Sequence, residues 1–134
     1  MKKISVDFDG TIARHFNGSS NPFENDVQNM VKLLINEGND VHIITRRYSN
    51  PMLRENRIVY EVANNLGVNL ENIHFTNRAW KWEKINELGI DFHMDDDKTD
   101  IYYIDQKCPN TIGYHLSKEG ANGFYELIKK EHKL

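Results

Sequence analysis

The chain has 134 residues, 17 basic against 20 acidic side chains, a formal charge of −3 and a pI near 6.1. That length suits one domain, which buries about two-thirds of the surface its unfolded form exposes, and the near-balanced charge excludes a global attraction to nucleic acid or anionic membrane. Its one cysteine, Cys108, excludes an intramolecular disulfide and any Cys-built zinc site and suits a reducing compartment.

No apolar run reaches the roughly 18 residues of a membrane span. Asp7 and Asp9 follow Met1-Lys2-Lys3 too closely for the apolar core of a signal peptide. The expectation is a cytoplasmic, single-domain protein with no membrane partner. Short apolar runs then alternate with segments of helical period, punctuated by Gly, Asn and Pro. A first strand spans Lys3 to Phe8 and leads into a polar loop with Asn17-Gly18 at a hairpin tip. Val27, Met30, Val31, Leu34 and Ile35 follow at i, i+3, i+4, i+7 and i+8, one apolar helix face. Asn25 and Gln28 have the spacing of a capping box, and Gly38 stands at the helix end. A second strand covers Val41 to Ile44. Asn50-Pro51 supplies a cap and first-turn proline for a helix that turns Ile58, Val59, Val62, Ala63 and Leu66 inward and stops at Gly67. A third strand runs from Ile73 to Thr76, a short helix from Ala79 to Leu88 and a fourth strand from Ile90 to Met94. A helical turn at Ile101 to Ile104, a fifth strand at Thr111 to Tyr114 and a helix from Ser117 to about Lys130 complete the order.

Strands separated by helices predict an α/β fold, a three-layer, Rossmann-like, doubly wound parallel sheet of about five strands. Chemistry in such folds gathers beyond the carboxyl ends of the strands. Four of the five strands end in reactive groups there: Asp7-Phe8-Asp9-Gly10-Thr11, Thr45-Arg46-Arg47, Thr76-Asn77-Arg78 and Asp95-Asp96-Asp97. Asp7 and Asp9 would share one face of a regular strand, with Phe8 pointing away. Two adjacent carboxylates repel unless a cation, a proton or a turn separates them, and Gly10 permits the turn. Chance produces Asp-x-Asp-Gly-Thr in roughly one chain per thousand of this size.

These residues identify a resemblance to the haloacid dehalogenase-like superfamily of phosphatases and phosphotransferases. Its first motif matches Val6-Asp7-Phe8-Asp9-Gly10-Thr11, and its second, a Thr closing a strand, matches Ile43-Ile44-Thr45. The third, a Lys near a helix start, has candidates in Lys81 and Lys84, and the fourth, two acids after a strand, matches Phe92-His93-Met94-Asp95-Asp96. The resemblance implies a Mg²⁺-dependent phosphatase with Asp7 as nucleophile and Asp9 as general acid and base. Mg²⁺ would be held by Asp7, the Asp9 backbone carbonyl, Asp95 and Asp96. Thr45 and the motif-three lysine would hold the phosphoryl oxygens; Lys81, nearer the helix start, is preferred to Lys84. Thr11, Arg14, Arg46 and Arg47 are the candidate substrate contacts, because arginine forks match phosphate. Trp80 and Trp82 read as packing, and Arg54 and Arg57 as solvated helix residues.

Members of the superfamily that act on small metabolites carry an inserted cap domain, and this chain has room for none. Capless members act on macromolecular phosphates or are closed by a neighbouring subunit, so a homo-oligomer covering the open site is one of two expectations by this analogy. With an arginine just after motif two, the pattern also resembles the capless 3′-phosphatase module of phage polynucleotide kinase, and the substrate is expected to be a nucleotide or nucleic-acid end phosphate. His42, His74 and His93 read as structural, while His15 and Arg14 lie on the loop after motif one. The order of the acidic clusters excludes a response-regulator receiver. A phosphotransferase and a non-catalytic binding module of the same fold stay as alternatives.

Overall fold

The structure is a computed structural model that describes residues 1–50, 54–117 and 119–132. Five strands, β1 (Lys3–Val6), β2 (Asp40–Thr45), β3 (Ile73–Phe75), β4 (Phe92–Asp95) and β5 (Ile112–His115), form one parallel sheet in the order β3-β2-β1-β4-β5. The helices are α1 (Glu24–Asn36), α2 (Arg57–Leu66), α3 (Trp82–Leu88), α4 (Lys98–Lys107) and α5 (Gly120–His132). The expected three-layer α/β architecture is the observed one, and the described residues contain no cap domain.

Strand alternation divides the core in two. Ile4 and Val6 of β1, Val41 and Ile43 of β2, and Phe92 and Met94 of β4 point to one face. There they meet Val27, Met30, Val31 and Leu34 of α1, Val59, Ala63 and Leu66 of α2, and Phe124 and Ile128 of α5. Each fully buried side chain of this kind stabilises by about 1.5–3 kcal/mol. The opposite face has a smaller apolar cluster, Ile44, Ile85, Ile90, Ile104 and Cys108, under α3 and α4. Polar side chains occupy the rest of that face: Ser5 of β1 and His93 of β4 are fully buried there. That asymmetry positions the site.

Local differences from the sequence expectations have identifiable causes. The Asn25/Gln28 capping box does not form: α1 starts at Glu24 with no side-chain cap. Asn21 Oδ1 instead accepts from the Phe23 amide at 3.0 Å, Asn21 Nδ2 donates to the Thr11 and Ala13 carbonyls at 2.9 Å each, and Gln28 Nε2 donates to the Ile12 carbonyl at 2.9 Å. Gln28 and Asn21 thereby tie down the loop after β1. The Asn17-Gly18 pair closes a tight turn, with the Gly18 amide on the His15 carbonyl, but no strands flank it. Ile58 is 46% exposed rather than inward, because α2 is short and turns Val59, Ala63 and Leu66 to the sheet. Pro51 lies outside the described residues. The turn expected near Ile101 is a ten-residue helix, started by Asp97, whose carboxylate accepts from the Thr99 amide at 2.8 Å.

A histidine pair joins β2 to β3. His42 Nε2 donates to Asp40 Oδ2 at 3.0 Å, so its Nδ1, 2.9 Å from His74 Nε2, accepts from that ring. Burial, the His42 ring beside it and Lys84 push His74 down to about 4, against weaker opposition from Glu87 and Asp40. Because the unfolded chain protonates this group first, near 6.5, the folded state loses stability as pH falls from about 6.5 to about 4. Urea midpoints at pH 7 and pH 4.5 should fall further apart in the wild type than in His74→Gln; equal differences would show that the neutral pair carries no pH dependence.

Candidate active site

A cavity of about 350 Å³ opens at the carboxyl ends of the strands and draws residues from four of them: Asp7 and Asp9 after β1, Thr45 to Arg47 at β2, Arg78 and Lys81 after β3, and Asp95 to Asp97 at β4. The strand β1 ends at Val6, two residues earlier than expected, although the Asp7 amide continues the ladder onto the Met94 carbonyl at 3.0 Å. The chain then folds back, with the amides of Thr11 and Ala13 both on the Phe8 carbonyl. Gly10 makes this possible at φ +77°, where a Cβ would also collide with the Asp96 carboxylate and the His15 ring. The turn sends Asp7 and Asp9 into different surroundings instead of along one strand face.

Asp7 points inward. Its Oδ1 accepts from Lys81 Nζ at 2.7 Å and its Oδ2 from the Thr11 hydroxyl at 3.0 Å. The same ammonium donates to Asp95 Oδ2 at 2.6 Å and lies 3.7 Å from Asp100 Oδ2. Lys81 caps α3 and its amide donates to Asp100 Oδ1 at 3.1 Å, so Asp100 holds both ends of the residue. Lys81 is 2% exposed, and Asp95 and Asp100 no more than 1%. Burial alone would strip the charge from Lys81, but Asp7, Asp95 and Asp100 outweigh it and hold the ammonium above its ordinary range. Burial also opposes the charge on Asp95, yet Lys81 and His93 hold that carboxylate well below its usual range. Asp7 goes the other way: burial and the Asp95 charge push it well above, and Lys81 corrects this only in part. Burial also raises Asp96 and Asp100. The cluster carries more negative charge than one ammonium neutralises.

Asp9 faces the opening. Arg47 grips it with both ends of its fork, Nε to Oδ2 at 2.9 Å and Nη2 to Oδ1 at 2.6 Å. The guanidinium lies 5.2 Å from the Phe8 ring centre and 5.0 Å from that of Phe16. Arg46 lies 4.1 Å over Trp80, donates to the Arg78 carbonyl at 3.1 Å and pairs loosely with Asp97 at 3.8 Å. Beyond β3, the amides of Asn77 and Arg78 reach back to the carbonyls of Arg47 and Arg46, and both residues take left-handed backbones, φ 54° and 73°. Such conformations cost on the order of 1 kcal/mol or more each in non-glycine residues; here they extend the β2–β3 pairing into the rim.

Of the sequence candidates, Asp7, Asp9, Thr45, Arg46, Arg47, Lys81, Asp95 and Asp96 all line the cavity. Thr11 does not line it; its hydroxyl is spent on Asp7. Arg14 is exposed and contributes only its carbonyl, to the Gly10 amide. Lys84 pairs with Glu87 at 2.7 Å, away from the cavity. Sequence reasoning missed Asp100, His93 and the lining aromatics Phe16 and Tyr48. Asp100 had a readable signal, because it stands four residues after Asp96 on what proves to be the first turn of a helix. His93 had only its alternation with Asp95 on one strand face.

Asp7, Asp95 and Asp96 each offer a carboxylate oxygen within 4.8 Å of the others, so the three can hold a metal ion. Hard oxygen donors with surplus negative charge suit Mg²⁺. Asp9 is not in that group through its side chain, which belongs to Arg47. No family model matches the sequence, and no curated protein matches it. Among solved structures, the chain is similar to 3-deoxy-D-manno-octulosonate 8-phosphate phosphatase from Moraxella catarrhalis, in complex with magnesium ion, phosphate ion and KDO. The likeness has a TM-score of 0.54 at 21% identity and covers 83% of this chain and 69% of that one. At that identity the likeness establishes the fold.

Removing the Lys81 ammonium should leave three buried carboxylates, those of Asp7, Asp95 and Asp100, without their shared cation. In metal-free buffer, Lys81→Met should lose about 3–5 kcal/mol of stability by urea unfolding, whereas Lys84→Met should stay within about 0.5 kcal/mol of wild type. Equal losses would deny Lys81 its bracing part.

Proposed function

We propose that the chain is a Mg²⁺-dependent phosphomonoester hydrolase that works through an aspartyl-phosphate on Asp7. One observation carries this reading: the Asp7 carboxylate, beyond the central strand, is held by Lys81 and Thr11 with Asp95 and Asp96 in metal-ligand reach. The fold shared with a phosphatase that binds magnesium and phosphate supports it.

When bound by Asp7, Asp95 and Asp96, Mg²⁺ offsets the repulsion between a carboxylate and an anionic phosphate. Lys81 and Thr11 fix the direction of the Asp7 carboxylate, whose oxygen attacks phosphorus as the ester P–O bond breaks. Asp9, once protonated, gives its proton to the departing oxygen; as a carboxylate it then takes a proton from the water that attacks phosphorus and restores Asp7. Arg47 holds Asp9 in the free protein, and its fork matches phosphoryl oxygens equally well. An incoming phosphate draws the fork off Asp9 and frees that group for proton transfer. Thr45, buried at the end of β2, adds its backbone and hydroxyl to the phosphoryl site.

The substrate is a nucleotide or nucleic-acid end phosphate. Arg46, Arg47 and Arg78 line the mouth, and Phe16 and Tyr48, 62% and 55% exposed, stand beside them where a base can stack. The cavity of about 350 Å³ exceeds the volume of a phosphoryl group several-fold, which leaves room for a leaving group. A sugar phosphate is the second reading, favoured by the KDO complex of the similar phosphatase. No helix among the described residues is long and apolar enough to cross a membrane. Cys108, buried and with its thiol pushed up by burial, suits a reducing cytoplasm.

Phosphate release from p-nitrophenyl phosphate should require Mg²⁺ and fall roughly 10⁴-fold or more in Asp7→Asn. Equal turnover in both proteins would remove Asp7 as the nucleophile. A panel of 3′- and 5′-nucleotides, phosphorylated oligonucleotides and sugar phosphates ranks the substrate classes by kcat/KM; turnover of sugar phosphates alone would overturn the nucleotide reading.

A further inference from the structure

Beneath the acid cluster, Ser5 of β1 and His93 of β4 are register partners on the sheet face that carries α3 and α4. Ser5 Oγ lies 2.6 Å from His93 Nδ1, and His93 Nε2 lies 2.8 Å from Asp95 Oδ2. All three side chains are completely enclosed. A carboxylate that already takes hydrogen bonds from Lys81 and from the Asp97 amide can only accept, so His93 Nε2 carries the hydrogen and Nδ1 receives that of Ser5. The line is therefore directed: Ser5 donates to His93, and His93 donates to Asp95.

Burial alone does not call for polar groups at these positions. Ile44, Ile85, Ile90 and Ile104 form the apolar cluster on this face, while His42 of β2 is the other register partner of Ser5. Replacing a satisfied buried polar pair by hydrocarbon of similar shape is commonly near neutral or stabilising. What the pair does is local. Both Asp95 oxygens are held, Oδ2 by Lys81 and His93 and Oδ1 by the Asp97 amide, so the carboxylate plane cannot rotate. Lys81 is shared with Asp7, so among the described residues His93 is the side-chain donor that serves Asp95 without also holding Asp7.

We propose that His93, oriented by Ser5, is a positioning residue that sets the Asp95 carboxylate for the divalent cation. The proposal rests on the reading that Asp7, Asp95 and Asp96 bind Mg²⁺. Groups that orient a metal ligand from behind are commonly worth 10–100-fold in metal affinity.

Calorimetric titration of the metal-free protein with MgCl₂, beside urea unfolding of the same samples, tests it. His93→Leu should raise the Mg²⁺ Kd by about 10–100-fold, with a lower unfolding midpoint because the buried Ser5 hydroxyl loses its partner. His93→Gln, whose amide can donate to Asp95 and accept from Ser5, should restore most of the affinity, and Ser5→Ala should weaken it by less than His93→Leu. A folded His93→Leu protein with the wild-type Kd overturns the proposal, as does a loss of stability with affinity unchanged. If His93→Leu does not fold, Ser5→Ala decides: an unchanged Kd overturns the proposal. A wild-type protein that takes up no Mg²⁺ overturns the metal reading itself, and the positioning proposal with it.

Discussion

Lys81 carries its charge inside the protein, and that charge is tolerable only because three carboxylates converge on it. Taking an ammonium out of water costs several kcal/mol even after relaxation, so the structure must bring Asp7 from the end of β1, Asp95 from the end of β4 and Asp100 from the first turn of α4 to the start of α3. The ammonium is thus a brace between four elements, β1, α3, β4 and α4. It also settles the charge states around it: Asp95 stays ionised, while the more weakly supported Asp7 is pushed upward by burial and by its neighbour. The surplus negative charge makes a divalent cation a natural fourth partner.

The second constraint is the sharp turn at Gly10. Without it, Asp7 and Asp9 would lie on one face and repel. With it, one carboxylate joins the buried lysine and the other joins the arginine fork at the cavity mouth. Two like groups in unlike surroundings can take unlike chemical roles. The loop that follows is held by Asn21 and Gln28, and it sets Phe16 against Arg47 at the cavity mouth.

Sheet order explains why these pieces meet. In the order β3-β2-β1-β4-β5 the chain leaves β1 toward one edge and returns to β4 on its other side. A crevice opens at such a switch point beyond the carboxyl ends, and β1 and β4 bring Asp7 and Asp95 to its two sides. The face under α3 and α4 has few apolar side chains, and its buried volume is given to Ser5, His93 and the lysine cluster.

Periodicity was enough to read the succession of strands and helices along the chain, the inward face of α1 and the glycine stops of α1 and α2, because these depend on near neighbours along the chain. The sites of reactive residues were legible for a related reason: each stands directly after an apolar run, and a parallel sheet brings those ends to one rim. Element ends were less legible. Asn25 and Gln28 had the spacing of a cap, yet the Ile12 carbonyl in a loop sixteen residues upstream took the Gln28 amide instead. Ile58 fitted an apolar face that a short helix did not extend to cover. The sequence alone determined the order of elements and the chemical character of each strand end. Tertiary structure decided which groups pair: Lys81 rather than Lys84 with Asp7, Arg47 with Asp9, Thr11 turned to Asp7, and His93 behind Asp95. The lysine and arginine pairings depend on distances across the sheet, between residues 74 and 38 positions apart, and no local pattern encodes those.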